Sequence, residues 1–371
     1  MAEIVIRNLR KEFDAFTAVQ GSTFTIDDGE FFMLLGPSGC GKTTTLRMIA
    51  GLETPTSGEI LIGGRDVTML PARARDIAFV FQMFALYPHM SVRRNIAYPL
   101  VSQGMARRDI AAKIAEVARI LGIEGILDRG VGGLSGGDRQ RVALARAIVR
   151  EPLAFLMDEP LGALDAEFRE HMAHELRALH DRMGATTVYV THDQLEAMQM
   201  GDKILVMNHG VVEQWGDPQE IYDRPATMFV ADFIGSPPMN FLHVEARAGI
   251  GQDWLEIGGA RIPMPALREA APGPELALGV RPEHVHLRDD GPMRAEVLAA
   301  EYLGASQVVT LQTGFGQIKA RAGVANRARP GETVGLAFDA RTLSLFDRAS
   351  GRALRSALHD APAEQRRAAH G

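Results

Sequence analysis

Apolar positions along this chain fall into three textures. Over the first sixty or so residues they come in short runs broken by turns. Residues 3–7 and 22–26 mix β-branched and aromatic side chains with polar ones, as short strands do. Asp27-Asp28-Gly29-Glu30 makes a turn, and residues 31–35 (Phe-Phe-Met-Leu-Leu) are apolar throughout. A run with no polar face suits a strand covered on both sides in a mostly parallel sheet. A glycine-rich loop follows and a helix is expected over 42–50. Thr54-Pro55-Thr56-Ser57-Gly58 then breaks the pattern before a strand at 59–62.

From about 84 to 150 the period changes. Residues 106–121 and 136–150 carry apolar side chains at three- and four-residue spacing, which predicts helices. Strands at 153–157, 186–190 and 203–207 then alternate with helices at 166–183 and 194–200. Such alternation predicts an α/β architecture around a parallel sheet. At Gly235-Ser236-Pro237-Pro238 the texture changes again. Short strands at 275–280, 307–313, 317–321 and 333–338, separated by Gly, Pro and Asp, predict a small all-β barrel or sandwich. The expected domains are 1–235, with a helical part at about 84–150, and an all-β domain over 236–350. A tail follows over 351–371, and the stretch after Asp347, rich in Ala, Arg and His, reads as a mobile or marginally helical end. No internal repeat is visible.

Composition narrows the function classes. The chain has 371 residues, enough for two domains. A formal net charge of −6 supplies no basic field for nucleic acid. The single cysteine, Cys40, rules out an internal disulfide framework and fits a reducing compartment. The first residues lack the basic segment and apolar run of a secretory signal. No apolar stretch approaches the ~20 residues a membrane-spanning helix needs. The chain is expected to be soluble by itself, so that work at a membrane requires another chain to supply the spans.

Two motifs carry chemistry. Gly36-Pro37-Ser38-Gly39-Cys40-Gly41-Lys42-Thr43 fits G-x-x-x-x-G-K-[ST] and sits between an apolar strand and a helix. Glycines let backbone N–H groups turn inward around phosphate oxygens, and the helix points its positive end at them. Lys42 is expected to reach the β- and γ-phosphates of ATP and the Thr43 hydroxyl to ligate Mg²⁺, with Thr44 beside it in the nucleotide-binding set. The strand at 153–157 ends in Asp158 and Glu159. Asp158 is placed to hold Mg²⁺ through water, and Glu159 is the candidate general base for the attacking water. Standing alone, the two acids could equally close an ordinary strand; the phosphate loop gives them a role.

Leu134-Ser135-Gly136-Gly137-Asp138-Arg139-Gln140-Arg141 is similar to the signature motif of ATP-binding-cassette ATPases, which usually reads LSGGQ. Physically it is a second anion site, in which Ser135 caps a helix while its hydroxyl and the N–H groups of Gly136 and Gly137 face outward. The resemblance implies that this site grips the γ-phosphate bound to a second copy, so that a head-to-tail homodimer sandwiches two ATP molecules. It also implies roles for four other positions. Gln82 contacts Mg²⁺ and the catalytic water and senses the membrane partner. Leu161-Gly162-Ala163-Leu164-Asp165 crosses the dimer interface, with Asp165 near nucleotide. His192 touches the γ-phosphate, and Phe13 stacks on adenine through its π face. Lys42, Gln82, Glu159 and His192 form the implied catalytic set; Thr43, Gln82 and Asp158 form the implied metal set.

The fold that this resemblance implies is a P-loop NTPase core with a β-subdomain and a helical subdomain, followed by a small all-β, oligonucleotide-fold-like domain. Residues 84–100 resemble the surface that receives a coupling helix from a transport channel. The segment 235–241 resembles the junction in sugar-importer ATPases of the maltose and glycerol-3-phosphate type, and residues 278–284 resemble a motif of their C-terminal barrel. The likeness covers about residues 3–347. It implies a carbohydrate importer with two integral-membrane permease subunits and, indirectly, an extracytoplasmic solute-binding protein. The chain would lie on the cytoplasmic face of a bacterial inner membrane. Polyamine, iron or another small solute stays open as the cargo, because the ATPase never touches it. A cassette acting on DNA or ribosomes fits less well, given one cassette and an acidic net charge. Asp138 departs from the family's glutamine: with Ser135 it has the spacing of a capping box, yet it brings negative charge towards a polyanion.

Overall fold

Phe31–Leu35 is buried along its whole length at the interior of a six-stranded sheet, as its lack of a polar face requires. The order across this sheet is Val211–Gly216, Lys203–Asn208, Phe31–Leu35, Thr186–Thr191, Ala154–Asp158 and Ile77–Val80. Neighbours are parallel except Val211–Gly216, which returns antiparallel on Lys203–Asn208. The structure is a computed structural model and describes residues 2–162, 164–324 and 328–360. Two compact units divide at Pro218/Gln219.

A second, antiparallel sheet completes the first unit: Ile4–Phe13 pairs with Phe16–Ile26 on one side and Ser57–Ile62 on the other. The strands expected at 3–7 and 22–26 are the buried halves of a longer hairpin. Its outer half buries Leu9, Ala18 and Val19 while Arg10, Glu12 and Gln20 are exposed, and the register shifts along this pair break the regular alternation that would mark a strand in the sequence. Helix Lys42–Ala50 runs beneath, and Ile4, Phe24, Leu34, Leu46 and Ile49 share one core with the parallel strands. The helical part consists of Val92–Ser102, Arg107–Ile120 and Gly136–Ile148, the first packing on the other two.

The second unit is β-rich, as expected. Its sheets are ordered Asn240–Glu245, Glu275–Val280, Ser344–Asp347; Trp254–Ile257, Ala260–Pro263; and Val285–Leu287, Thr333–Phe338, Met293–Tyr302, Ser306–Thr313, Gly316–Gly323. Alternate residues such as Met293, Ala295 and Val297 point into its core. The units divide earlier than the texture change at 235 because the short helix Met228–Phe233 belongs with the barrel. Buried Arg281 donates to the carbonyls of Tyr222, Ala231 and Ile234 and stacks over the Tyr222 ring. The end expected to be mobile is instead strapped down through residue 360: Met228 N–H donates to Gly351, Ala353 N–H to Ala226 and Arg268 N–H to Arg355. Residues 361–371 of the expected tail lie outside the described residues. No helix among the described residues is long and apolar enough to cross a membrane.

Candidate nucleotide-binding and catalytic site

Parallel strands bring their carboxyl ends to one edge, and that edge is where open α/β sheets bind ligands. Here Leu35 lies level with Thr191, Asp158 with Val190, and Val80 with Met157. Each strand therefore delivers its following residues to the same place: the phosphate loop after Leu35, Gln82 after Val80, Asp158 and Glu159, and His192.

The phosphate loop is close-packed. Gly41 has φ 106°, and a Cβ there would lie 2.4 Å from the Ala18 carbonyl oxygen; a Cβ on Gly36 would lie 2.3 Å from the Met207 carbonyl oxygen. Only glycine fits either position. Ser38 and Gly39 are exposed, Pro37 and Thr44 half-buried, and Cys40 buried. Burial pushes the Cys40 thiol up, against the opposing pull of the Lys42 charge. The Lys42 side chain is buried with its ammonium donating to the carbonyls of Gly36 (2.7 Å) and Pro37 (2.9 Å), which holds the charge at the loop. Thr43 donates its hydroxyl to Asp158 Oδ1 at 3.0 Å. Burial raises the Asp158 carboxyl above its ordinary range; the Thr43 hydrogen bond opposes this.

Glu159 stands at φ 44°, a left-handed conformation that L residues adopt at a cost. Its N–H is held by the Val190 carbonyl at 3.0 Å and its own carbonyl accepts from Gly162 at 3.1 Å. The carboxylate is gripped from two sides: Gln82 Nε2 donates to Oε2 at 3.2 Å, and His192 Nδ1 lies 3.3 Å from Oε1. Lys42, Thr43, Asp158, Glu159, Gln82 and His192 thus converge, as their motifs predict. A group of three or more His, Cys, Asp or Glu able to hold a metal does not occur among the described residues. The oxygen donors at this edge are those of Thr43 and Asp158, with the amide oxygen of Gln82. Such a sparse, hard set suits Mg²⁺, which keeps several waters and takes substrate phosphate oxygens as ligands.

The signature residues have other partners. Ser135 caps helix Gly136–Ile148 by accepting from the Asp138 N–H at 3.1 Å. The reciprocal half of the capping box does not form among the described residues. The Asp138 carboxylate turns instead to Arg141, 3.9 Å away, whose fixed charge outcompetes the short reach back to the Ser135 N–H. Ser135 and Gly136 are exposed, whereas Gly137 is buried: a Cβ there would meet the Phe168 ring at 2.0 Å. Packing, not only an outward N–H, dictates that glycine. Asp165 caps helix Ala166–Met183 through Phe168 N–H; Ala163 lies outside the described residues. Phe13 is partly exposed at the hairpin end, its ring stacked on Phe16 at 5.4 Å with the Lys11 ammonium 4.8 Å above it.

Beside the site lies a cleft of about 610 Å³, lined among others by Phe81, Ala85, Tyr87, Tyr98 and Arg146. Arg146 was not singled out by motif. It donates to the carbonyls of Phe84 (2.8 Å) and Ala85 (2.7 Å), two consecutive residues at positive φ. The signal was a lone arginine inside the apolar run Ala143-Leu144-Ala145-Arg146-Ala147-Ile148.

Residues 19–162 match the ABC transporter family, 235–285 the MalK OB fold domain and 278–346 the TOBE domain. The chain is 46% identical, over 95% of its length and 100% of the relative's, to the trehalose/maltose import ATP-binding protein MalK of Thermococcus litoralis. It is 47% identical, with the same coverage, to the sn-glycerol-3-phosphate import ATP-binding protein UgpC of Cereibacter sphaeroides. A trehalose import ATP-binding protein, SugC of Mycobacterium tuberculosis, is 46% identical over 95% of this chain and 98% of its own. Among solved structures, the ATP-binding cassette MJ0796, a dimer in a post-hydrolysis state with ADP and Pi, is similar with TM-score 0.53 and 32% identity. That likeness covers 58% of this chain and 98% of the cassette. Identity near one half, sustained from the first sheet into the barrel, makes this chain a member of the ATP-binding-cassette transporter ATPases.

Proposed function

We propose that two copies of this chain bind ATP with Mg²⁺ between the phosphate loop of one and the signature of the other, and drive uptake of a carbohydrate or sugar phosphate. The observation that carries the ATPase half is the convergence of Lys42, Thr43, Asp158, Glu159, Gln82 and His192 on one sheet edge. The cargo class rests on relatives named for trehalose, maltose and glycerol 3-phosphate at nearly equal identity. That near-equality favours a class and no single sugar.

In this reading Lys42 and the loop N–H groups bind the β- and γ-phosphates, and Phe13 stacks on adenine. Thr43 and Asp158, with Gln82, hold Mg²⁺, which supplies charge neutralisation to the phosphates. Glu159 takes a proton from the attacking water, oriented by Gln82 and His192 on its two oxygens. Lys42 and His192 stabilise charge developing on the phosphoryl oxygens. Ser135 and Gly136, with Asp165, face the partner's nucleotide. Closure moves the helical part and the cleft at 84–100, against which two permease subunits dock at the cytoplasmic face of the inner membrane, fed by an extracytoplasmic binding protein. The all-β domain holds the two copies together, and no nucleic acid is involved.

Cells lacking this chain should lose ATP-dependent uptake of a carbohydrate. The wild-type chain should restore it and Lys42→Ala should not. Loss of polyamine or iron uptake with all sugar uptake intact would overturn the cargo class and leave the ATPase reading standing.

A further inference from the structure

We propose that Arg169 is a positioning residue that ties Leu164, ahead of helix Ala166–Met183, to the segment that carries His192, so that displacement of Leu164 sets the histidine's approach to Glu159. The proposal rests on the reading of His192 as a group that acts through Glu159 and the transferred phosphoryl.

Arg169 stands in the first turn of helix Ala166–Met183, its amide donating to the Asp165 carbonyl at 2.9 Å. Its side chain turns back and reaches three oxygens on two segments. Nη2 donates to the Leu164 carbonyl at 3.0 Å, Nη1 donates to Asp193 Oδ2 at 3.4 Å, and Nε lies 3.9 Å from Glu196 Oε1. The planar fork of arginine can serve three directions at once; a lysine ammonium on a flexible stem cannot hold them in one plane.

The two carboxylates hold the residues that flank His192, Glu196 by bonding Thr191 and Asp193 by its own position. Asp193 follows the histidine directly. Its Oδ1 caps helix Gln194–Met200 by accepting from the N–H groups of Leu195 (2.8 Å) and Glu196 (3.3 Å), and its own N–H donates to Thr191 Oγ1 at 2.9 Å. Glu196 is buried and accepts from the hydroxyls of Thr191 (2.8 Å) and Tyr189 (3.0 Å). The residues on either side of His192 are thereby locked, while the histidine side chain is exposed and reaches Glu159 at 3.3 Å. Motion of the segment can enter through the guanidinium, which is also bonded to the loop carbonyl. The plainer role, neutralising two carboxylates, does not call for the Leu164 contact.

The test is steady-state ATP turnover of the full chain for Arg169→Met, Arg169→Lys, His192→Ala and the Arg169→Met/His192→Ala pair. Arg169→Met should lower kcat about tenfold with KM for ATP changed less than about twofold, and Arg169→Lys should recover only part. In the His192→Ala background Arg169→Met should cost less than about twofold, because residues acting through one another are not additive. Multiplying effects in the double variant, or a loss seen only in KM, would overturn the proposal. Because Arg169→Met leaves buried Glu196 without its counter-charge and can fail to fold, Glu196→Gln serves as the second probe. It keeps the two hydroxyl partners, should lower kcat, and should again add little once His192 is alanine; additive loss there would also overturn the idea. Undiminished turnover of His192→Ala alone would instead sink the assignment of the histidine itself.

Discussion

Glu159, the proposed general base, stands in left-handed backbone. Its left-handed φ swings the carboxylate off the strand and between Gln82 and His192. Neighbouring residues show how local charge is set. The Asp138 carboxylate, unlike the glutamine usual in the family, rests against Arg141, which itself faces Glu175 at 3.4 Å. The N–H of residue 138, not its side chain, receives the Ser135 cap. Asp138→Gln should therefore keep helix and turnover, the latter within about twofold, while flattening the dependence of rate on ionic strength because a screened repulsion is removed. ATPase rates across a salt series check this, and abolished hydrolysis would reveal a chemical role for the carboxylate. Phe13 already shares its ring with Phe16 and Lys11, which bears on the proposed stacking against adenine. Phe13→Ala should raise KM for ATP by up to about tenfold at unchanged kcat, the size of ~0.5–1.5 kcal/mol of stacking. Unchanged KM with reduced kcat in the same assay would refute the stacking role.

At the scale of elements, the signature helix Gly136–Ile148 is tied to the loop that carries Gln82 through one guanidinium. Arg146 holds the carbonyls of Phe84 and Ala85, both in left-handed backbone, and lies 5.5 Å from the Tyr87 ring centroid. From the other side, Asn95 accepts from the Tyr87 N–H and donates to its carbonyl. Hydrogen bonds from a charged donor contribute about 1.5–3 kcal/mol, enough to hold two strained residues. Arg146→Met should make the amides of 81–87 exchange markedly faster while the core strands keep their protection. Hydrogen exchange resolved by residue tests it; uniform loss of protection would mean a general packing defect instead. Legibility differed among elements for a physical reason. Phe31–Leu35 is readable as an unbroken apolar run because both of its faces are buried, and Lys42–Ala50 and Ala166–Met183 because burial of one face writes a period into the sequence. Helices Pro218–Asp223 and Met228–Phe233 span six residues each, too few to establish a period that predicts them. Arg146 and Arg281 bridge positions far apart in the chain; an arginine inside an apolar run marks Arg146 as partly buried, but no local pattern names the partners of either.

On the scale of the whole molecule, the motifs and the fold meet in one requirement: four strands must end together for the phosphate loop, Gln82, the two acids and His192 to meet. Sequence order alone placed these motifs, but their convergence depends on parallel pairing, which the registers of Leu35 with Thr191 and of Asp158 with Val190 supply. The signature lies on a different element, its hydroxyl engaged with its own helix, and the proposed function gives it to the partner's nucleotide. The most direct test of the account is the nucleotide retained by the full chain bearing Glu159→Gln after incubation with Mg-ATP and removal of free nucleotide. The variant should form a dimer that holds ATP, two per dimer, with turnover abolished, since binding by Lys42 and the loop is intact and only the proton acceptor is gone. Release of ADP at the wild-type rate would contradict the assignment of Glu159 as the base and, with it, the mechanism built on this site.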